Sequence, residues 1–253
     1  MRNKHWVVLS ISLIMTFMAN AQESDRKLPW SLGVAAGPLF NQIQGTSTLA
    51  KYSNKTGYQA GLTINYALSS DFSIRAELLS DYRIFGSELF SQGLRETDTS
   101  AYVCWSCYYD YSIMYYAHYL TLPVFFQYSQ QGDVAGLNFR AGAYYSLLIG
   151  AYHDGYEELF LDPVESKPFG VIDLKPGLYR DVYTGSVLDV INTYDAGLSL
   201  GMGGFYFLNK ATKIEIDITL RMGLAKLFEN PLMPEILQRH YAVRLGLIRQ
   251  LRY

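Results

Sequence analysis

The sequence predicts an all-β fold, an eight-stranded antiparallel up-and-down transmembrane β-barrel with long outer loops. Three observations lead to this prediction: an N-terminal export signal, eight segments in which apolar and polar residues alternate, and connections that are short and long in turn. Alternation with a period of two marks a strand with one apolar face, because successive side chains point to opposite sides. Since lipid offers no hydrogen-bond partner to a sheet edge, membrane-spanning strands must close into a barrel.

Residues 1–21 have the features of a signal peptide, which we expect to be cleaved after Ala21. Basic residues begin it, an apolar stretch follows at 6–18, and Ala-Asn-Ala supplies the small residues of a cleavage site. The alternative is an N-terminal membrane anchor, but the apolar stretch is too short to span a bilayer comfortably as a helix. The predicted mature domain is an outer-membrane β-barrel over residues 22–253.

The clearest predicted strand is 213–224, where isoleucine, leucine and methionine alternate with charged and small residues. Pro123 interrupts the least regular strand and removes one donor from its ladder. Strands of this length exceed the usual five or six residues of soluble proteins and suit a tilted span of a membrane. The eight predicted strands are 30–41, 57–68, 72–85, 116–128, 136–150, 193–208, 213–224 and 239–253.

The connections between these strands follow a strict rhythm. The short ones are 69–71, 129–135 and 209–212, and the long ones are 42–56, 86–115, 151–192 and 225–238. Outer-membrane barrels have short periplasmic turns and long outer loops, whereas a soluble sandwich or barrel has no reason for this rhythm. The pattern therefore predicts an outer-membrane location with both termini in the periplasm.

The final residue is aromatic, and it follows alternating apolar residues in the last strand. Such an ending looks like the insertion signal of outer-membrane barrels, and we assign that role to Tyr253. Outer-membrane lipid and the barrel-assembly machinery are therefore expected partners. The formal net charge of −2, with no cluster of basic residues, gives no reason to expect nucleic acid.

The two cysteines, Cys104 and Cys107, are predicted to form a disulfide in the second outer loop. Export places them in an oxidising compartment, which favours a disulfide over free thiols. The C-x-x-C spacing also occurs in redox motifs, but no βαβ pattern surrounds it. A zinc site needs about four ligands, and too few lie nearby.

Several segments resemble the PorT-like outer-membrane β-barrel proteins. The resemblance rests on the leader, the opening SLGVAAG, the strand YLTLPVFFQY at 119–128, the strand YDAGLSLGMGGFYF and the aromatic end of the chain. It implies an eight-stranded barrel in the outer membrane and no shared reaction. Some relatives serve protein secretion or gliding.

The polar faces of the strands carry charges of both signs, which the barrel would turn inward. Small barrels of eight strands fill their interiors with side chains, so we expect a plug of paired charges, with a gate or proton path as the alternative. The predicted lumen charge network is Arg75, Glu77, Asp81, Arg83, Arg140, Asp195, Glu215, Asp217, Arg221 and Arg244.

No motif identifies an enzyme, and we assign no catalytic residue, no cofactor and no metal ligand. No nucleophile elbow, zinc-protease helix, phosphate loop or dinucleotide fingerprint occurs. His153 and Asp154, with Glu157 and Glu158, could bind a cation in a long loop, but we prefer a solvated loop because spacing alone fixes no geometry.

The function expected from these observations is a non-enzymatic barrel whose outer loops bind a protein partner or support secretion or envelope assembly. One alternative is an enzyme that modifies lipid or peptide, which would need a histidine within hydrogen-bond reach of a serine and an acid at the outer rim. The other is a small gated pore, which would need a continuous water path through the interior.

Overall fold

A computed structural model describes residues 27–44, 51–95, 102–161, 177–188, 191–227 and 237–252. No helix long and apolar enough to cross a membrane occurs among these residues. The described residues form ten strands, which are β1 (Lys27–Gln44), β2 (Lys51–Asn54), β3 (Thr56–Ala67), β4 (Phe72–Arg95), β5 (Tyr102–Gln131), β6 (Ala135–Leu161), β7 (Gly177–Ser186), β8 (Tyr194–Phe207), β9 (Thr212–Lys226) and β10 (Leu237–Arg252).

Eight of these strands close into an antiparallel ring in the order β1-β3-β4-β5-β6-β8-β9-β10, and β10 pairs with β1. Val34 of β1 illustrates the closure, because it lies opposite Leu62 of β3 on one side and Leu247 of β10 on the other. The short strand β2 adds to β4, and β7 adds to β6. The predicted eight-stranded antiparallel barrel is confirmed.

The two faces of each strand differ sharply in chemistry. On β9, Ile216 and Ile218 are 59% and 52% exposed, whereas Glu215 and Asp217 are at most 1% exposed. The apolar residues therefore face outward and the charged residues face the lumen. A closed barrel with an apolar exterior and a polar interior is the arrangement of transmembrane β-barrels.

Aromatic side chains mark the two ends of the apolar surface. Around one end, the ring of Trp30 contacts that of Tyr66, and Phe72 stacks on Phe126. Around the other, Tyr82 stacks on Tyr58 and lies close to Tyr116. The ten residue-to-residue steps from Phe72 to Tyr82 cover about 33 Å along β4, and a tilt of about 40° reduces this to about 25 Å, the height of the apolar band of such barrels.

Two stretches predicted as outer loops contain long strand segments. The stretch 86–115 contains the ends of β4 and β5, which pair as far as Arg95 and Tyr102, and 151–192 contains the end of β6 with β7. The predicted loop 42–56 likewise contains β2. These strands lie beyond the upper aromatic residues, so neither face needs to be apolar, and the alternation that reveals a strand inside the membrane is lost.

We call this extension the outer arm, and it consists of residues 86–95, 102–115, 151–161 and β7. Its four strands continue the barrel wall in the order β4-β5-β6-β7.

Candidate functional site

The middle of the lumen is filled by charged side chains. All ten residues of the predicted lumen charge network are buried, at 3% exposure or less. They comprise five arginines and five carboxylates, so their formal charges cancel. Strands β4, β6, β8, β9 and β10 supply them from alternate, inward-facing positions.

The cluster nearer the periplasmic end is centred on Glu77. Arg75 Nε lies 2.6 Å from Glu77 Oε1, and the guanidinium of Arg244 binds the same carboxylate through both terminal nitrogens. Arg244 Nε also reaches Asp217 Oδ1 at 2.9 Å. Arg140 Nη2 lies 3.1 Å from Asp217 Oδ1. Arg140 Nη1 lies 3.5 Å from one oxygen of Glu77 and 3.5 Å from one oxygen of Glu215. Glu215 also binds Arg75. Each buried charge thus has more than one opposite charge close by, which offsets its desolvation.

The cluster nearer the outer end is centred on Asp81. Arg221 binds Asp81 Oδ2, and Thr121 Oγ1 donates to the same oxygen at 2.8 Å. Arg83 Nη2 lies 3.5 Å from Asp81, while its Nη1 donates to Asp195 at 2.8 Å. The hydrogen-bonding side chains link β4, β5, β8 and β9 across the lumen.

An apolar cluster closes the lumen above these charges. It includes Phe85 and Tyr115, whose rings stack at 5.2 Å, together with Ile191 and Leu227. The chain around Ile191 is held in place by backbone hydrogen bonds from Leu148 to the carbonyl of Thr193 and from Asn192 to that of Leu227. Below the charges, a cavity of about 130 Å³ opens at the periplasmic mouth. The described part of the lumen is therefore plugged, which counts against the pore alternative.

Neither His118 nor His240 contacts both a serine and an acid within the part of the chain that the structure describes, although each contacts one of the two. His118 Nε2 lies 2.6 Å from Ser80 Oγ on the outward face, and no carboxylate of the described residues contacts His118. His240 is buried in the lumen, with Nδ1 at 3.0 Å from Asn41 and Nε2 at 3.7 Å from Asp195, and no described serine contacts it. The structure thus brings together a histidine with a serine, and a histidine with an acid, at two separate places among the described residues.

The side chains of His153, Asp154, Glu157 and Glu158 do not point to a common centre that could hold a cation. These residues lie on β6, where alternation puts His153 and Glu157 on the inner face of the arm and Asp154 and Glu158 on the outer face. Tyr109 donates to Glu157, and Tyr108 donates to Glu158. Among the described residues, no group of three or more ligand side chains is placed to hold a metal ion.

The outer arm presents exposed apolar side chains on a surface that also carries tyrosine–carboxylate hydrogen bonds. Phe90, Leu178 and Val182 are 65%, 58% and 68% exposed. Tyr108 stacks between Phe90 and Phe160.

Two tyrosines of the same face hold carboxylates. Tyr108 donates to Glu158, and Tyr156 donates to Asp110. The hydrogen bond to Glu158 raises the pKa of Tyr108, and that to Asp110 raises the pKa of Tyr156. Arg180 lies over the ring of Tyr156 at 5.0 Å.

Three sequence predictions fall outside the described residues. These are the signal peptide at 1–21, the side chain of Cys104 with its predicted disulfide, and the terminal Tyr253. Cys107 itself is fully buried on β5.

The sequence analysis missed the neutral members of the lumen network. Thr121 and Tyr144 bind Asp81 and Asp195, and Gln59 binds Arg221. His240 was missed as well, although it shares the inward face of β10 with Arg244. The signal was present, because each occupies an inward position in the alternation, but a search limited to charges passes over hydroxyls and amides.

Comparison with protein families decides the assignment of the chain. Residues 20–229 match the family described as "Outer membrane protein beta-barrel domain". The chain belongs to this family. Membership places the protein in the outer membrane, in agreement with the apolar band and the closed ring. No curated protein matches the chain.

Solved structures of other outer-membrane proteins are similar to this chain at low sequence identity. Ail of Yersinia pestis, solved with a heparin analogue, is 11% identical over 87% of this chain and 99% of its own, with a TM-score of 0.36. OprG of Pseudomonas aeruginosa is 10% identical over 90% of this chain and 98% of its own, with a TM-score of 0.45. Neisserial surface protein A is 9% identical over 90% of this chain and 100% of its own, with a TM-score of 0.40.

Proposed function

We propose that the protein is a PorT-like outer-membrane barrel that binds a protein partner through its outer arm and so supports secretion or envelope assembly. The observation that carries the proposal is the arm itself, a four-stranded extension of the barrel wall beyond the upper aromatic residues. From Tyr116 to Tyr108 the arm rises about 26 Å along β5. The proposed role needs no catalysis.

The surface of the arm has the composition of a binding surface. Phe90, Leu178 and Val182 project from a sheet in which two tyrosines are hydrogen bonded to two carboxylates. Clustered exposed apolar side chains on a folded surface mark sites of interaction with other proteins.

The edge of the arm offers a second mode of attachment. Within the described residues, β7 pairs only with β6, so its other edge can accept an extended segment of a partner. Strand addition of this kind obtains affinity from main-chain hydrogen bonds and specificity from the side chains beside them.

The plugged lumen supports a scaffold rather than a conduit. Paired charges and the apolar cluster above them fix the barrel wall, and a rigid barrel is a suitable base for binding segments that project from it.

Co-purification from native membranes in mild detergent tests the proposal. We expect one dominant partner with the unchanged protein and its loss when Phe90 and Val182 are both replaced by serine. Lys210→Ser, in the periplasmic turn between β8 and β9, is the matched surface control and should retain the partner. Equal recovery from all three proteins would contradict a binding role for the arm.

A further inference from the structure

The outward face of β4 and β5 carries two polar side chains at the upper end of an otherwise apolar band. Ser80 lies on β4 and His118 on β5, and both are partly exposed. The outward positions below them on these two strands are Ile74, Ala76, Leu78, Leu120, Leu122, Val124 and Phe126.

The two polar side chains are hydrogen bonded to each other. Ser80 Oγ and His118 Nε2 are 2.6 Å apart, because the register that pairs Tyr82 with His118 sets Ser80 diagonally beside the imidazole. With the proton of the neutral imidazole on Nδ1, the serine hydroxyl donates to the lone pair of Nε2. A serine donating to an unprotonated histidine nitrogen is the contact between a nucleophile and its general base.

The depth of the pair matches that of lipid acyl esters. Ser80 lies two residues from Tyr82 of the upper aromatic group, which is about 7 Å along the strand and about 5 Å below that group. Tyrosine side chains of this kind sit at the headgroup level of the bilayer. The ester carbonyls of outer-leaflet lipids lie just inside that level, so they meet Ser80.

The surface beside His118 has room for such a carbonyl. A register shift next to His118 places Gly150 of β6 opposite the imidazole. A methyl group built on Gly150 would meet no atom within 4 Å. The surface beside Gly150 is therefore open, and next to it the rings of Tyr116 and Tyr152 stack at 4.5 Å.

A further hydrogen-bond donor borders the pair. The hydroxyls of Tyr82 and Tyr152 are 3.0 Å apart, and the ring of Tyr82 lies 6.4 Å from that of His118. Two hydroxyls carry two hydrogens, and their mutual bond uses one. The other is free to donate to the oxygen of a bound carbonyl.

We propose that Ser80 and His118 form a dyad that cleaves acyl esters of outer-leaflet lipids. Ser80 Oγ attacks the ester carbonyl carbon while His118 Nε2 takes the serine proton. The bond to the lipid alcohol breaks, and His118 returns that proton to the leaving oxygen. Water, deprotonated by His118, then attacks the acyl-serine, which releases a fatty acid and restores Ser80. This activity is independent of the outer arm.

The absence of a carboxylate beside His118 makes the dyad slow. Exchanging the orienting acid of a serine triad for its amide costs about 10⁴-fold in turnover. Formation of the covalent serine adduct is therefore a more sensitive readout than turnover of a soluble ester.

Labelling with a fluorophosphonate tests the nucleophile in the full-length protein, folded in detergent micelles. We expect an adduct on Ser80 by peptide mass spectrometry and none in Ser80→Ala. His118→Gln keeps a polar partner for Ser80 but removes the base, so labelling should slow by about 10²- to 10⁴-fold. Ser112→Ala, on the outward face of β5 in the outer arm, is the control and should be labelled at the rate of the unchanged protein.

Heat-dependent migration in gels verifies that each variant is folded. No adduct on Ser80 of the folded protein, or equal labelling of His118→Gln, would overturn the proposal. Vesicles made from outer-membrane lipid extract test the substrate: free fatty acid should accumulate faster with the unchanged protein than with Ser80→Ala. Equal release from the two would also overturn it.

Discussion

Arg83 and Asp195 lie 112 positions apart in the chain, yet Arg83 Nη1 and Asp195 Oδ2 are 2.8 Å apart inside the barrel. Both side chains are almost completely shielded from solvent. Tyr144 donates a second hydrogen bond to Asp195, and Arg83 also faces Asp81. The pair ties β4 to β8, and each charge relies on the other to offset its desolvation.

Breaking this pair from one side should destabilise the barrel strongly. Arg83→Ala leaves the carboxylate of Asp195 buried without its arginine, which we expect to cost about 3–5 kcal/mol of the free energy of unfolding. Replacing both residues together, Arg83→Met with Asp195→Leu, removes both charges and should cost much less. Reversible unfolding in lipid vesicles gives the free energies.

An exposed ion pair of the same protein is the control. Arg180 and Glu158 lie 3.9 Å apart on the outer arm, where the side chain of Arg180 is 57% exposed. Water screens this pair, so Arg180→Ala should cost less than about 1 kcal/mol. Equal costs for Arg83→Ala and Arg180→Ala would show that the lumen charges do not hold the barrel together.

A charge placed on the lipid-facing surface should lower the free energy of unfolding. Ile218 projects outward from β9 between the two aromatic levels, so Ile218→Arg should cost about 2–4 kcal/mol, the midplane value for a cation on the lipid face. Ile218→Leu keeps an apolar side chain and should cost under about 1.5 kcal/mol. The same unfolding measurement applies. A harmless Ile218→Arg would mean that this face does not contact lipid.

Thr219, next along β9, should be sensitive for a different reason. Its hydroxyl donates to Asp217 and accepts from Arg244, so Thr219→Val removes two hydrogen bonds to buried charges. We expect a loss of about 1.5–3 kcal/mol in the free energy of unfolding. Thr219→Ser keeps the hydroxyl and should lose less. A loss for Thr219→Val no larger than that for Thr219→Ser would contradict a stabilising role for the hydroxyl.

The disulfide between Cys104 and Cys107 stays a prediction from the sequence. Export is oxidising, so a maleimide should label neither sulfur of the native protein without reductant and both after reduction and unfolding. Because the closed loop is short, reduction should lower stability only modestly. Labelling of both cysteines in the unreduced, denatured protein would reject the bond.

The ring and its lumen charges could be predicted because the period of two fixes the face of every residue. Glu215 and Asp217 alternate with Ile216 and Ile218. Inside a membrane the charged face must point to the lumen, because charged side chains in contact with lipid destabilise the barrel. The outer arm could not be predicted in this way. Tyr108, Asp110 and their neighbours lie beyond the upper aromatic residues, where the outward face need not be apolar, so the alternation is lost.

Pairing between distant strands was also beyond the sequence. Alternation places Arg83 and Asp195 inside, and Ser80 and His118 outside, but which residues meet depends on the stagger between strands. That stagger follows from local features such as the register shift beside His118, which no single segment reveals.

Site-specific photo-crosslinking in living cells tests the central claim most directly. A benzophenone side chain at Val182, on the outer face of the arm, should yield one discrete adduct with another protein. The same group at Leu200, on the lipid-facing surface of β8, should yield none of that size. No adduct from Val182, or the same adduct from both positions, would contradict a partner-binding role for the outer arm.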